Sequence, residues 1–156
     1  CCHYKASGGE SIMVDGFKIA EKIKNEKKEI YDLLTQIEVT GQYIGDGVFL
    51  KAKRPIFRVN SDSELIQVSF NNYDRAPFKF SEDKTKKFYE AIKEFDLIAN
   101  NKEYQWRHVL KPGELLIFNN WRKLHGRGSF SGERKMSGCY INKEDFDSSC
   151  RIHKII

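Results

Sequence analysis

Between Leu115 and Tyr140 the chain reads LLIFNNWRKLHGRGSFSGERKMSGCY, an apolar run, a polar knuckle, one His and then basic residues on strand-like sequence. Leu115, Leu116, Ile117 and Phe118 are four consecutive apolar residues, which predicts a short strand buried on both faces and ended by Asn119-Asn120. The stretch therefore favours a β architecture, with His125 placed just beyond a buried strand and Gly126 leaving the backbone beside it open to close approach. On extended backbone, even spacings share a face, so His125 goes with Arg127, and Arg134 with Met136, Gly138 and Tyr140. One imidazole, two guanidinium groups and one phenol are expected to converge.

The rest of the chain supplies strands and helices around that stretch. Ser11 to Val14 is strand-like, and Asp15-Gly16 opens a helix with apolar positions at Phe17, Ala20 and Ile23. Ile30, Leu33, Leu34 and Ile37 fall at i, i+3, i+4 and i+7, a second helix that stops before Gly41. Tyr43 to Val59 alternates as half-buried strands, with Val48, Leu50 and Ala52 on one side. Leu65 to Phe70 is a further strand that delivers Asn71 to a sheet edge. Ser81 caps the strongest helix, marked by Phe88, Ala91, Ile92, Phe95 and Ala99 and ended by Asn100-Asn101. Lys111-Pro112-Gly113 suits a type II turn, which predicts a hairpin between 106–110 and 114–118. Lys143 to His153 is a polar helix. Many short strands with one long inserted helix suggest a mainly β barrel or jelly roll with helical insertions, in place of alternating βαβ units.

Composition limits what such a fold can do. A chain of 156 residues suits one domain. No apolar run approaches the roughly twenty residues of a membrane helix, so no membrane partner is expected. The net charge of +5 is spread over helix faces such as Lys22, Lys24, Lys27 and Lys28, which reads as solvated surface and no nucleic-acid partner. Cys1, Cys2, Cys139 and Cys150 show no C-x-x-C spacing, which favours a reducing compartment. A first residue that is Cys suggests a fragment, from which a targeting peptide would be missing. His3, His108, His125 and His153 form no H-x-D, H-x-E or H-E-x-x-H arrangement, so the chain carries no complete metal motif.

Gly8-Gly9, VDGF at 14–17, YIGDG at 43–47, FNNYDRAPF at 70–78, KPGELLIFNNWRKLHGR at 111–127 and GCY at 138–140 resemble the carnitine-biosynthesis branch of the TauD/TfdA-like iron(II)- and 2-oxoglutarate-dependent dioxygenases. NNYDRA and GCY resemble the branch members that act on trimethyllysine more than those that act on γ-butyrobetaine.

The resemblance implies a double-stranded β-helix, incomplete at its N-terminal side, so that 1–156 would be the C-terminal part of one catalytic domain. It implies His125 as the distal His of an iron-binding facial triad, whose H-x-D partners lie upstream of Cys1 in relatives. Arg134, nine positions after His125, matches the Arg that grips the far carboxylate of 2-oxoglutarate, with Arg127 as a second contributor. Tyr140 matches an aromatic wall of a trimethylammonium cage. Asn71 matches a contact to the polar end of the substrate, and Asp74 would meet an ammonium group. Asn119 departs from the Asp usual in the family.

The implied cofactors are Fe(II), 2-oxoglutarate and ascorbate, and the implied partners are dioxygen, a small trimethylammonium compound and, in a homodimer, a second copy. The implied activity is 3-hydroxylation of N6-trimethyl-L-lysine by the intact protein in the mitochondrial matrix, with a cytoplasmic location as the alternative. Two alternatives stand beside it: a γ-butyrobetaine dioxygenase, and a non-catalytic jelly-roll module binding a small anion through Arg127 and Arg134.

Overall fold

The computed structural model describes residues 1–71 and 73–156. Asn72 of the NNYDRA run lies outside the described residues. The chain combines strands with helices: β1 (His3–Gly8), β2 (Ser11–Asp15), α1 (Gly16–Glu26), α2 (Lys28–Gln36), β3 (Glu38–Gly45), β4 (Val48–Pro55), β5 (Phe57–Val59), β6 (Leu65–Val68), α3 (Glu82–Ala99), β7 (Gln105–His108), β8 (Lys123–Arg127), β9 (Phe130–Lys135) and α4 (Lys143–Ile152).

The helices expected at 15–23, 30–37 and 81–99 are present, and they form the core together with β5 and β6. α1 buries Ile19, Ala20 and Ile23, α2 buries Tyr31 and Leu34, and α3 buries Phe88, Ala91, Ile92 and Phe95. At the centre Phe57 is fully buried, with ring centroids 5.4 Å from Tyr31 and 5.6 Å from Phe95. Aromatic edges meeting at these distances add to the apolar burial that holds the layer together. Val14 at the end of β2 belongs to the same core, and Leu124 of β8 packs against it.

β2 lies between β7 and β8, both antiparallel to it, while β1 pairs with β9. The β1–β9 and β2–β8 pairings keep one register. His3 faces Lys135, Gly8 faces Phe130, Ser11 faces Arg127 and Asp15 faces Lys123, with no slip between the two sheets. Gly9 N–H donating to Ser129 O and Gly128 N–H donating to Glu10 O, both 2.9 Å, carry the ladder across the break. The bend falls at Gly8 and Gly9, with φ of +79° and +75°. A Cβ on Gly8 would sit 2.4 Å from Ser129 O, so only glycine lets the ribbon turn there without losing its partner.

Several expectations fail for one reason, that strand pairing is long-range. Residues 114–118 form no strand, and Leu115 and Ile117 are 80% and 73% exposed. The type II turn is present, with Gly113 at φ +86° and Glu114 N–H donating to Lys111 O at 3.0 Å. The hairpin is not, because β7 pairs with β2 instead. His125 lies within β8 and not after a buried strand. The strand carrying Arg134 ends at Lys135, before Met136 and Tyr140. β4 is exposed along nearly its whole length where half-burial was expected.

Candidate functional site

The knuckle before β8 fixes how that strand enters the sheet. Asn119 Oδ1 accepts the Trp121 N–H at 2.9 Å, and its carbonyl accepts from Arg122 N–H and Lys123 N–H. This Asx turn uses a side-chain oxygen and no charge, so a neutral Asn suffices as the turn former here. Trp121 O accepts the Val68 N–H at 2.8 Å and Arg122 O accepts the Gly16 N–H at 2.9 Å, tying the turn to the core.

Asp15 completes the attachment. It caps α1 by accepting the Phe17 N–H at 3.1 Å and also accepts from Arg122 and Lys123. Burial alone would raise its carboxyl; the two cations outweigh that and hold it well below the usual carboxylate range.

One cavity of about 840 Å³ runs along β8. Every residue from Lys123 to Arg127 lines it, although alternate residues of a strand point to opposite faces, so the cavity abuts the edge of β8 that β2 leaves open. By register His125 stands opposite Met13, and its ring lies 5.1 Å from that of Phe118. The far wall carries Asn71 and Asp74. Asn71 Nδ2 donates to Asp74 Oδ2 at 2.7 Å, and Asn71 Oδ1 accepts the Tyr73 N–H at 2.8 Å, which fixes the Asp74 carboxylate. His125, Arg127, Asn71 and Asp74 all touch the cavity, but the His125 ring lies on the face of β8 shared with Met13 and Phe118, neither of which lines it.

Arg134 and Tyr140 are placed elsewhere. Tyr140 is 87% exposed and lines no part of the cavity. Arg134 lies under the glycine bend: a Cβ on Gly9 would come 3.1 Å from its Nη1, and its guanidinium stands 6.0 Å from the Phe130 ring centroid. Among the described residues its buried Nε and Nη1 have no hydrogen-bond partner. Buried donors on a permanent cation suit a carboxylate ligand, although Arg134 does not line the cavity that runs along β8. The fit to iron is incomplete. His125 is one imidazole, and among the described residues no three His, Cys, Asp or Glu side chains are grouped to hold a metal ion.

The cavity is predominantly cationic, lined by Arg54, Arg75, Arg107, Lys123 and Arg127 against Asp74 and Asp96. Sequence reading missed Arg54, Arg107 and Lys123, since nothing local marks a charged strand residue as facing a cavity formed with a distant segment.

The sequence model of the taurine catabolism dioxygenase TauD, TfdA family matches residues 1–140. The chain belongs to this dioxygenase family. It is 37% identical over 157 residues to a trimethyllysine dioxygenase of Meyerozyma guilliermondii, covering 97% of this chain and 39% of that protein. A mitochondrial trimethyllysine dioxygenase of Rattus norvegicus is 32% identical over 97% of this chain and 38% of its own length. The gamma-butyrobetaine dioxygenase of Homo sapiens is 29% identical, over 97% of this chain and 41% of its own length. The chain thus spans about two fifths of the length of these relatives.

Proposed function

We propose that the full-length protein is an iron(II)- and 2-oxoglutarate-dependent dioxygenase that hydroxylates N6-trimethyl-L-lysine at carbon 3, in the mitochondrial supply of carnitine. The observation that carries this reading is the 37% identity to a trimethyllysine dioxygenase over 97% of this chain, with His125 and Arg127 together on β8. Its continuous bent ladder supports a double-stranded β-helix, in which one ribbon passes from one sheet to the other. On this reading residues 1–156 are the C-terminal part of the catalytic domain.

Iron, when bound, would supply the activation of dioxygen, with His125 as one of its ligands and the others outside this chain. Arg134 holds the distal carboxylate of 2-oxoglutarate through its planar fork. Arg127 adds positive charge beside it. Asp74, oriented by Asn71, takes the α-ammonium of the substrate. Tyr140, exposed beyond the end of β9, supplies an aromatic wall for the trimethylammonium group on this reading.

The test supplies the full-length protein with iron(II), ascorbate, 2-oxoglutarate and either trimethyllysine or γ-butyrobetaine, and identifies products by mass. Hydroxytrimethyllysine with matching succinate is the expected result. Preference for γ-butyrobetaine would move the assignment within the branch. Turnover of neither would reject it, and anion binding without turnover would favour a non-catalytic module.

A further inference from the structure

Arg127 and Arg134 lie against one aromatic ring. The Arg127 guanidinium is 4.7 Å from the centroid of the Phe130 ring and the Arg134 guanidinium is 6.0 Å from it. On a straight ribbon residues 127 and 130 fall on opposite faces, so strand alternation alone would keep this cation and this ring apart. The ladder bends between them. Gly8 pairs with Phe130, Gly9 N–H donates to Ser129 O, and both glycines have positive φ. Gly9 also leaves the space in which the groups meet, since a Cβ there would come 3.1 Å from both Arg134 Nη1 and Phe130 Cβ.

Neither guanidinium is taken up by the protein. Among the described residues Arg127 and Arg134 make no side-chain hydrogen bond or ion pair. The neighbouring carboxylates are engaged elsewhere: Glu10 Oε2 holds Arg107 Nη1 at 3.1 Å, and Glu133 Oε2 lies 3.7 Å from His3 Nε2. A ring face attracts a guanidinium without accepting a directed N–H bond, so it offsets the repulsion between two cations and leaves their donors for an anion. Arg127 shares its face of β8 with His125, which puts that anion on the side of the sheet where His125 stands.

We propose that Phe130 is a positioning residue for 2-oxoglutarate, its ring holding the Arg127 and Arg134 guanidinium groups together so that both meet the distal carboxylate. The inference rests on the proposed function, in which these two residues serve 2-oxoglutarate. Phe130 itself needs no contact with the ligand. Its effect passes through the two cations, and it therefore acts on 2-oxoglutarate and not on the trimethylammonium substrate.

The experiment titrates the full-length protein with 2-oxoglutarate in a calorimeter, without dioxygen, and then measures turnover. Three variants are compared with the wild type: Phe130→Leu, which loses the ring, Phe130→Tyr, which keeps it, and the protein carrying trifluorophenylalanine at 130, which keeps the shape but drains the ring face of negative charge. The ring is 38% exposed, so these changes leave the core alone. Phe130→Leu is expected to weaken 2-oxoglutarate binding by about threefold to tenfold, the range of cation–π contacts at a partly exposed site. The fluorinated protein should weaken in the same direction, and Phe130→Tyr should stay within about twofold of wild type. KM for 2-oxoglutarate should follow the dissociation constant, while KM for trimethyllysine stays within about twofold. Unchanged binding in the fluorinated protein overturns the role of Phe130 even if Phe130→Leu fails to fold, and leaves the proposed function intact. Equal weakening in Phe130→Leu and Phe130→Tyr, or matching KM changes for both substrates, overturns it as well. No binding of 2-oxoglutarate by the wild type overturns the proposed function and this inference with it.

Discussion

Arg122 grips Asp15 through three contacts, Nε to both carboxylate oxygens at 3.0 Å and Nη2 to Oδ2 at 2.7 Å. The pair joins the N-terminus of α1 to the turn that launches β8, two elements 107 residues apart in sequence. The Arg122 guanidinium also lies 5.4 Å from the Phe17 ring centroid. Because Asp15 caps the helix as well, Asp15→Ala removes both interactions, whereas Asp15→Asn keeps an oxygen for the Phe17 N–H. Urea unfolding of the full-length protein should show Asp15→Ala losing about 2 kcal/mol or more, and Asp15→Asn losing less.

The same pair gives a pH dependence. The folded state holds the Asp15 carboxyl below its ordinary range, so folding favours the charged form. Its contribution is complete above the unfolded pKa of about 4 and is lost as pH falls below that toward the folded value. The difference in unfolding free energy between wild type and Asp15→Asn should therefore be constant from pH 7 to 5 and shrink below pH 4. A difference that grows on acidification would mean that Asp15 is not the charged partner.

Gly8 offers a test of the bent ladder. Its positive φ disfavours any side chain, and a Cβ would strike Ser129 O. Gly8→Ala should destabilise by about 1–3 kcal/mol and speed hydrogen exchange at Gly9 and Gly128, whose N–H groups bridge the break. Gly47→Ala is the control. Its φ is also positive, but its Cβ would meet nothing within 4 Å, and exchange at the ladder should not change.

What the sequence made legible was local. Helix periodicity located α1, α2 and α3 with most of their buried residues, Asp15 stood out as a helix start, and Pro112-Gly113 marked a turn that is present. What it missed depends on partners far along the chain. The run at 115–118 is apolar enough for a buried strand, yet a strand forms only where a partner strand pairs with it, and β7 found its partner in β2. Alternation placed His125 and Arg127 together but could not show that β8 meets the cavity by its edge. Nor could it show that strand geometry stops at Lys135, short of Tyr140. Arg134 carried its signal in the family pattern; its unpaired buried nitrogens appear only in three dimensions.

The last prediction separates the roles proposed for His125 and Arg134. His125 is exposed on β8, with one ring contact to Phe118, so His125→Ala should leave folding nearly unchanged. If it ligates iron, that substitution should abolish both hydroxylation and succinate formation in the full-length protein and weaken iron binding measured directly. Arg134→Lys keeps a cation but loses the planar fork, and it should raise KM for 2-oxoglutarate far more than KM for trimethyllysine. Because Nε and Nη1 of Arg134 are buried without a partner among the described residues, saturating 2-oxoglutarate should raise the melting temperature of the wild type more than that of Arg134→Lys. Equal shifts in the two proteins, or matching KM changes for both substrates, would show that the carboxylate is held elsewhere.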